Sequence, residues 1–222
     1  MSAVSSIFFD LDGTLVDSIP GIQSSVEHAF GVLGLVGAAP NMRTIIGPPI
    51  RTMFAEALPD FPIETLDSLA SAFRDHYNEH GYLESPMYPG VDETLDRLHR
   101  AGFEIGVVTN KPTVPTRRIL DMHGISGLFC SVFSPDATTP AFPDKAAMLR
   151  AAFAEIKTIG IRVYVGDSPE DARAADEANV AFCAAAYGYG GVARQVSVPA
   201  ESCIASFPDL IPWLRAKAAT AP

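Results

Sequence analysis

Cysteines and basic residues are scarce in this chain of 222 residues. Its three cysteines, Cys130, Cys183 and Cys203, show no metal-type spacing, so we expect three reduced thiols, most of them buried. The chain has 16 lysines and arginines and 26 aspartates and glutamates, which gives a net charge of −10. A chain this acidic is not expected to bind nucleic acid or an anionic membrane.

Long apolar runs are also missing. No segment approaches the ~18 uninterrupted apolar residues that would indicate a membrane-spanning helix. The first residues lack the cationic region and long apolar stretch of a signal peptide, so a cytoplasmic location is expected. Hydrophobic residues nevertheless make up 48% of the chain, which is enough for one large domain or for a core with a smaller inserted domain.

The stretch "SSIFFDLDGTLVDS" near the start is the most strand-like part of the sequence. Its apolar run, Ile7 to Phe9, is followed directly by Asp10 and Asp12. Because Leu11 separates the two acids, both can face one site only if the strand ends and the chain bends there. Gly13 makes such a bend easy. The pattern predicts a buried strand that delivers two carboxylates at its carboxyl end.

Residues 16–85 have the pattern of helices without an intervening strand. Apolar residues recur at helical spacing in two stripes, Ile22–Val26–Phe30–Leu33 and Leu66–Leu69–Phe73–Tyr77. Gly47-Pro48-Pro49 must interrupt any helix that precedes it. The basic residues of this segment that could reach a substrate anion are Arg43, Arg51, Arg74 and His76.

From residue 86 onward, strand and helix patterns alternate. The predicted strands are "FEIGVVTN", "LFCSVF", "IRVYVGD" and "VAFCAAA", and a helical pattern precedes each of them. Such alternation implies right-handed crossovers and a parallel sheet with helices on both faces. We therefore predict an α/β fold. Residues 1–15 and 86–222 should form a Rossmann-like, doubly wound parallel sheet, and residues 16–85 an inserted all-helical cap.

Polar residues follow the predicted strands, at the edge where such sheets carry their chemistry. They are Asp10, Asp12, Thr109, Asn110, Lys111, Lys145, Asp167 and Asp171. Carboxylates gathered at one place repel each other unless a cation lies among them, and a set of oxygen ligands suits Mg²⁺. A hydroxyl and an ammonium group suit phosphate oxygens. The residues therefore predict phosphoryl transfer.

Four segments in order resemble the motifs of the haloacid dehalogenase superfamily: "DLDGTLVDS", "VVTN", a lysine before a helix, and "VGDSPED". The helical insertion after the first motif, with "IIGPPI" inside it, is similar to the phosphoglycolate phosphatase-like branch. The resemblance covers nearly the whole chain. It implies a Mg²⁺-dependent phosphatase that hydrolyses a small phosphorylated metabolite, a phosphate monoester, through an aspartyl-phosphate, with phosphoglycolate as the first candidate substrate.

The resemblance also implies the catalytic roles. Asp10 would be the nucleophile. Asp12 would protonate the leaving alcohol and then activate water. Thr109 and Lys145 would complete the catalytic set by holding the phosphate, together with the amides around Asn110.

A Mg²⁺ site follows from the same resemblance. Asp10, Asp167 and the backbone carbonyl of Asp12 would bind the metal, and Asp171 would anchor that shell directly or through water. Asp171 also falls at the third position of a helix that Ser168 can cap, so a purely structural role for it stays open.

Two lysines compete for the phosphate. Lys145 is favoured because it begins the helix after the third strand. Lys111 precedes Pro112, where the chain turns away, and is expected to be an exposed loop charge. The family commonly has a proline directly after its lysine, whereas Ala146 follows Lys145 here.

Other functions stay open at this point. A nucleoside 5′-monophosphate phosphatase or a hexose-phosphate mutase would use the same fold, and a non-catalytic phosphate-binding regulatory module is the alternative from another class. The presence of both Asp10 and Asp12 favours an enzyme. Monomer and dimer are equally compatible with the sequence, and so are several choices of cap residue for substrate specificity.

Overall fold

The computed structural model describes residues 4–35, 37–44, 49–156, 160–191 and 198–220. Six of its strands form one sheet in the order β3-β2-β1-β4-β5-β6, and every neighbouring pair is parallel. The strands are β1 (Val4–Phe9), β2 (Glu104–Val108), β3 (Ser131–Phe133), β4 (Ile161–Gly166), β5 (Ala181–Ala185) and β6 (Cys203–Ile204). The strand order reverses between β1 and β4, and in open α/β sheets the crevice beyond such a point binds ligands.

Helices cover both faces of this sheet. The α-helices are α1 (Ile19–Val32), α2 (Ile50–Ala57), α3 (Ile63–Glu79), α4 (Val91–Arg100), α5 (Thr113–Met122), α6 (Lys145–Glu155), α7 (Pro169–Glu177) and α8 (Leu210–Thr220). Among the described residues, none of these helices is long and apolar enough to cross a membrane.

The alternating side chains of β1 show why helices cover both faces of the sheet. Ile7 and Phe9 point into an apolar cluster that includes side chains of α4, α5 and α8. Phe8 points to the other face, into an apolar cluster that includes Phe153 of α6 and Ala175 of α7. All three β1 side chains are fully buried, as expected for a central strand whose successive side chains alternate between two covered faces. The predicted doubly wound α/β fold is confirmed.

Helices α1 to α3 enclose an apolar cluster of their own. Both predicted stripes lie in it, with Val26 and Leu69 fully buried. The chain passes between this segment and the sheet near Val16, which forms an isolated antiparallel bridge with Met87. The predicted interruption at Gly47-Pro48-Pro49 falls mostly outside the described residues, since 45–48 are not among them, and α2 begins directly after Pro49.

The expectation of mostly buried cysteines is wrong. All three thiols are free, but Cys183 alone of them is buried, whereas Cys130 is exposed and Cys203 lies in between. The reason is the length of β3. It begins at Ser131 instead of Leu128, which leaves Cys130 in the connection before the strand.

Candidate active site

Three buried carboxylates meet beyond the carboxyl ends of β1 and β4. Asp10 follows β1, Asp167 follows β4, and Asp171 lies in the first turn of α7. One oxygen from each lies within 4.8 Å of the others. Their residues are 6%, 2% and 0% exposed. Two neighbouring parallel strands and the helix after one of them therefore bring the three acids together, as the sequence predicts.

The bend after Asp10 depends on glycine. Gly13 has φ +81°, and a Cβ atom there would lie 2.2 Å from an Asp167 carboxylate oxygen. A side chain at this position would therefore be strained and would displace Asp167. The Gly190 N–H donates to Asp167 Oδ2 at 2.6 Å, so a loop after β5 also holds this carboxylate in place.

Lys145 lies among the three acids at the start of α6. Its Nζ is 2.6 Å from Asp171 Oδ1 and 3.3 Å from Asp10 Oδ2, and the residue is 3% exposed. Asp144 caps α6 by accepting from the Ala147 N–H at 2.6 Å, which fixes where the lysine begins the helix. One ammonium thus faces three carboxylates.

The charges of this cluster are only partly balanced. Burial raises the pKa of Asp10 to about 7, with Lys145 acting in the opposite direction and Asp171 and Asp12 adding to the rise. Burial, followed by the charges of Asp171 and Asp10, raises the pKa of Asp167 well above its ordinary value. For Lys145, burial disfavours the ammonium, but Asp10 and Asp171 outweigh it and raise the pKa. A further cation among these acids would relieve the remaining repulsion.

Free ligand atoms are available for such a cation. Oδ1 of Asp10 is buried and has no hydrogen-bond partner among the described residues. Asp171 is different, because Oδ1 accepts from Lys145 and lies 3.1 Å from the Tyr164 hydroxyl, and Oδ2 accepts from the N–H and hydroxyl of Ser168. Its carboxylate is close to its full hydrogen-bonding capacity. Hard oxygen ligands in this arrangement fit Mg²⁺, with Asp10 better placed than Asp171 to bind it directly.

Asp171 also has the structural role that stays open on the sequence alone. Ser168 and Asp171 form a reciprocal capping box at the start of α7, with Pro169 at the first helical position. Capping and contact with Lys145 use different oxygens of the same carboxylate. The two roles therefore coexist in one side chain.

Asp12 lies apart from the three-carboxylate cluster and is bound by Lys111. The Lys111 Nζ donates to both oxygens of Asp12, at 3.0 and 2.9 Å, and lies 4.6 Å from the centre of the Tyr77 ring. The expectation that Lys111 is an exposed loop charge is wrong, because the residue is only 8% exposed. Its side chain turns inward to a carboxylate 99 positions away in the sequence. Its position directly after Thr109 and Asn110, at a strand end, was the available sequence signal.

The two residues after β2 also lie at this edge. Thr109 is 1% exposed, and its hydroxyl accepts from the Lys111 N–H at 3.2 Å. The Asn110 side-chain amide donates to Glu170 at 2.9 Å. Glu170 is thus a neighbour of the site that the sequence pattern did not single out.

A cavity of about 710 Å³ connects these residues to α1, α2 and α3. The predicted site residues that line it are Asp10, Asp12, Thr109, Asn110, Lys145 and Asp167. Of the basic candidates in the helical segment, Arg51 and Arg74 also line this cavity, whereas Arg43 lines a separate one of about 370 Å³. His76 lines neither and contacts Ser25 and two other histidines instead.

Curated relatives cover most of the chain. A phosphoglycolate phosphatase of Vibrio parahaemolyticus is 33% identical over 191 residues, which is 82% of this chain and 84% of the relative. A phosphoglycolate phosphatase of Cereibacter sphaeroides is 35% identical over 192 residues, covering 82% and 85%. The chain therefore spans most of the length of these relatives.

Solved structures share the fold over almost the whole chain. A predicted phosphoglycolate phosphatase from Haemophilus somnus superposes with a TM-score of 0.77 at 28% identity, covering 94% of this chain and 96% of that one. A protein described as a phosphatase from Clostridium difficile reaches a TM-score of 0.81 at 24% identity, covering 96% of this chain and 100% of that one, and this likeness shows the fold alone.

The model of the haloacid dehalogenase-like hydrolase family matches residues 7–185. This range contains the last three residues of β1, the strands β2 to β5, the helical segment and the residues Asp10, Lys145 and Asp167. The resemblance inferred from four short motifs is confirmed. The chain belongs to the haloacid dehalogenase-like hydrolase family.

Proposed function

We propose that this hydrolase is a Mg²⁺-dependent phosphatase that acts on a small phosphate monoester through an aspartyl-phosphate intermediate. The observation that carries the proposal is the environment of Asp10. One of its oxygens is buried without a partner among the described residues, the other lies 3.3 Å from Lys145, and the residue lines the cavity. The names of the curated relatives support the reaction class, and phosphoglycolate is the first candidate substrate.

Asp10 and Asp12 divide the chemistry in this proposal. An Asp10 oxygen attacks phosphorus, and the bond from phosphorus to the alcohol oxygen breaks as Asp12 donates a proton to that oxygen. Asp12 then takes a proton from water as the water oxygen attacks the aspartyl-phosphate. The bond between phosphorus and Asp10 breaks, which releases inorganic phosphate and restores the carboxylate.

The remaining site residues position the phosphate. Thr109 offers a hydroxyl and Lys145 an ammonium group toward its oxygens, and the backbone amides around Asn110 add further donors. Asp10, Asp167 and the Asp12 backbone carbonyl would hold Mg²⁺, which when bound neutralises charge on the transferring group. Asp171 keeps Lys145 in place at 2.6 Å.

The division of labour between two parts of the chain belongs to the same proposal. We assign residues 1–15 and 86–222 to the catalytic core and residues 16–85 to a cap that opens for substrate and closes to exclude water. The separate apolar cluster of α1 to α3 and the bridge between Val16 and Met87 support this division.

Phosphate release from a panel of phosphate monoesters tests the proposal. The protein should hydrolyse phosphoglycolate or a related ester in Mg²⁺ and lose the activity after dialysis against EDTA. Ca²⁺ should inhibit, because its looser coordination allows the nucleophile to bind the ion with both oxygens. Full activity in excess EDTA, or no hydrolysis of any ester in Mg²⁺, would contradict the proposal.

A further inference from the structure

The cavity wall contributed by the helical segment and the start of α5 is mainly apolar. The side chains concerned are Ile22, Ile50, Met53, Phe73, Tyr77 and Val114. Val114 is 50% exposed, whereas Ile22, Met53, Phe73 and Tyr77 are only 3–8% exposed. Apolar surface of this kind is stabilised when a ligand removes it from water. The wall therefore favours an apolar group beside the phosphate.

The size of the cavity points the same way. Its volume is about 710 Å³, whereas one water molecule occupies ~30 Å³ of the liquid. Cavities between about 300 and 1,000 Å³ hold ligands of drug size. The two-carbon acid of phosphoglycolate, even with its phosphate, would leave most of this space and the exposed surface of Val114 in contact with water.

Cations on the same wall are few. Arg51 pairs with Asp67 at 2.5 Å. Arg74 is exposed, and the described residues show no ion pair or hydrogen bond for it. A carboxylate on the substrate thus has Arg74 available on this wall and Arg173 of α7 elsewhere in the cavity, while an apolar group has six side chains.

We infer that the physiological substrate is a phosphate monoester whose organic group is apolar and much larger than the glycolate of phosphoglycolate. The inference rests on the proposed phosphatase function and specifies its substrate class. The phosphate lies among Asp10, Thr109 and Lys145, and the organic group lies against Met53, Phe73 and Val114. These three apolar residues then determine specificity without taking part in the chemistry.

A series of straight-chain alkyl phosphates, from ethyl to hexyl, separates contact from reactivity. Their leaving alkoxides are almost equally basic, so chain length changes mainly the area buried against the cavity wall. Burial of one methylene predicts a rise of about fourfold in kcat/KM for each added carbon. Hexyl phosphate should also exceed phosphoglycolate in kcat/KM.

Val114→Ser tests the wall itself and, at a half-exposed position, leaves the fold intact. It should flatten the dependence on chain length by lowering kcat/KM for hexyl phosphate about fivefold more than for ethyl phosphate. Val32→Ser is the matched control, because Val32 is 63% exposed and does not line the cavity. It should leave the whole dependence unchanged.

Each outcome separates the two proposals. Hydrolysis with no dependence on chain length, or with phosphoglycolate preferred to every alkyl ester, overturns the inferred substrate class and leaves the phosphatase function standing. Equal flattening in both serine variants overturns the assignment of Val114 to the wall. No hydrolysis of any ester in Mg²⁺ removes the phosphatase function and the inference with it.

Discussion

Asp10, the proposed nucleophile, lies where water cannot solvate its charge. The residue is 6% exposed, and burial raises its pKa to about 7. Lys145 opposes this rise from 3.3 Å. The ionised form needed for attack is therefore maintained by neighbouring cations in place of solvent, which ties the reactivity of one residue to the charge of its surroundings.

Asp10→Asn should remove turnover while leaving the fold intact. The amide has nearly the same shape as the carboxylate but cannot attack phosphorus. Because a buried, incompletely paired charge disappears, the melting temperature should not fall. Phosphate release and calorimetry measure the two effects, and mass spectrometry excludes deamidation back to aspartate. Turnover within about tenfold of the parent would contradict the nucleophile assignment.

Lys111 shows what sequence reasoning could not provide at this scale. Its burial depends on Asp12, 99 positions away, and on the Tyr77 ring of α3. The position of Lys111 at a strand end indicates that it lies near the site, but no local pattern around "TNKP" identifies these two partners. By contrast, the convergence of Asp10, Asp167 and Lys145 was predictable, since parallel strands and the helices that follow them end at one edge of the sheet.

Both lysines should matter for turnover. Lys145→Met removes the ammonium between Asp10 and Asp171 and should lower kcat/KM at least ~100-fold, about 2.7 kcal/mol. Lys111→Met frees the Asp12 carboxylate and should lower kcat at least ~10-fold with a smaller effect on KM. Steady-state kinetics check both. Arg117→Met, which removes an exposed charge from α5, is the control, and a similar loss in that variant would indicate a general charge effect.

The capping box at the start of helix α7 is connected to the site. This box shares Asp171 with Lys145, so the start of the helix and the position of the ammonium depend on one carboxylate. A second capping box, Ser206 with Asp209, stands before α8 without contact to the site in the described residues. The two capping boxes can therefore be compared directly: the Ser206 box stabilises a helix start alone, whereas the Ser168 box also contacts the site through Asp171.

Ser168→Ala and Ser206→Ala should destabilise the protein by similar amounts, about 1 kcal/mol each. Ser168→Ala alone should lower kcat, because the Asp171 carboxylate loses the hydrogen bond from the Ser168 hydroxyl that helps to orient it toward Lys145. The bond from the Ser168 backbone N–H remains. Urea unfolding gives the first quantity and phosphate release the second. Equal kcat in the two variants would show that the Ser168 box has no function beyond capping.

Helices α1 and α3 meet at a histidine stack. His76 lies 4.1 Å from His28 and 5.3 Å from His80, measured between ring centres, and its Nδ1 lies 3.0 Å from the Ser25 hydroxyl. Burial lowers the pKa of His76, and the charges of His28 and His80 lower it further, against smaller opposite effects of Glu84 and Glu79. The packing of the two helices therefore favours the neutral ring.

His76→Gln should reduce the loss of stability in acid. The folded pKa of His76 lies below the unfolded value of 6.5, so the unfolded state binds more protons near that pH. Its stabilising contribution is fully present above pH 6.5 and is lost as the pH falls toward the folded pKa. Melting temperatures of parent and variant are measured between about pH 7.5 and 5.5, and the decrease toward low pH should be smaller in the variant. His99→Gln, at an exposed position on α4, should follow the parent.

Whole elements were predictable where apolar runs are long. Strands β1, β2, β4 and β5 coincide with predicted apolar segments, and α1 and α3 follow the predicted stripes. Strand β6 has only two residues, Cys203 and Ile204, and is defined by pairing with β5. Such a strand has no periodicity of its own, so the sequence pattern could not indicate it.

At the scale of the whole molecule, the chain is acidic overall and also gathers three acidic side chains at one buried site. The net charge is −10, and three carboxylates share one buried position with a single lysine. Concentrating acids in this way costs stability, which a bound cation recovers because it binds the native state and has no such site in the unfolded chain. Folding and metal binding should therefore be linked.

Mg²⁺ should raise the melting temperature, and Asp167→Asn should abolish the rise. At a concentration 100-fold above the dissociation constant, binding adds about 2.7 kcal/mol, or roughly 5–10 °C for a chain of this size. Without metal, the variant should melt at or above the parent, because burial and neighbouring acids raise the pKa of Asp167 and disfavour its charge. Calorimetry in EDTA and in Mg²⁺ measures both effects, with KCl of equal ionic strength as the control. If Asp167→Asn keeps the full Mg²⁺ shift, the ion binds elsewhere and the three carboxylates do not form its site.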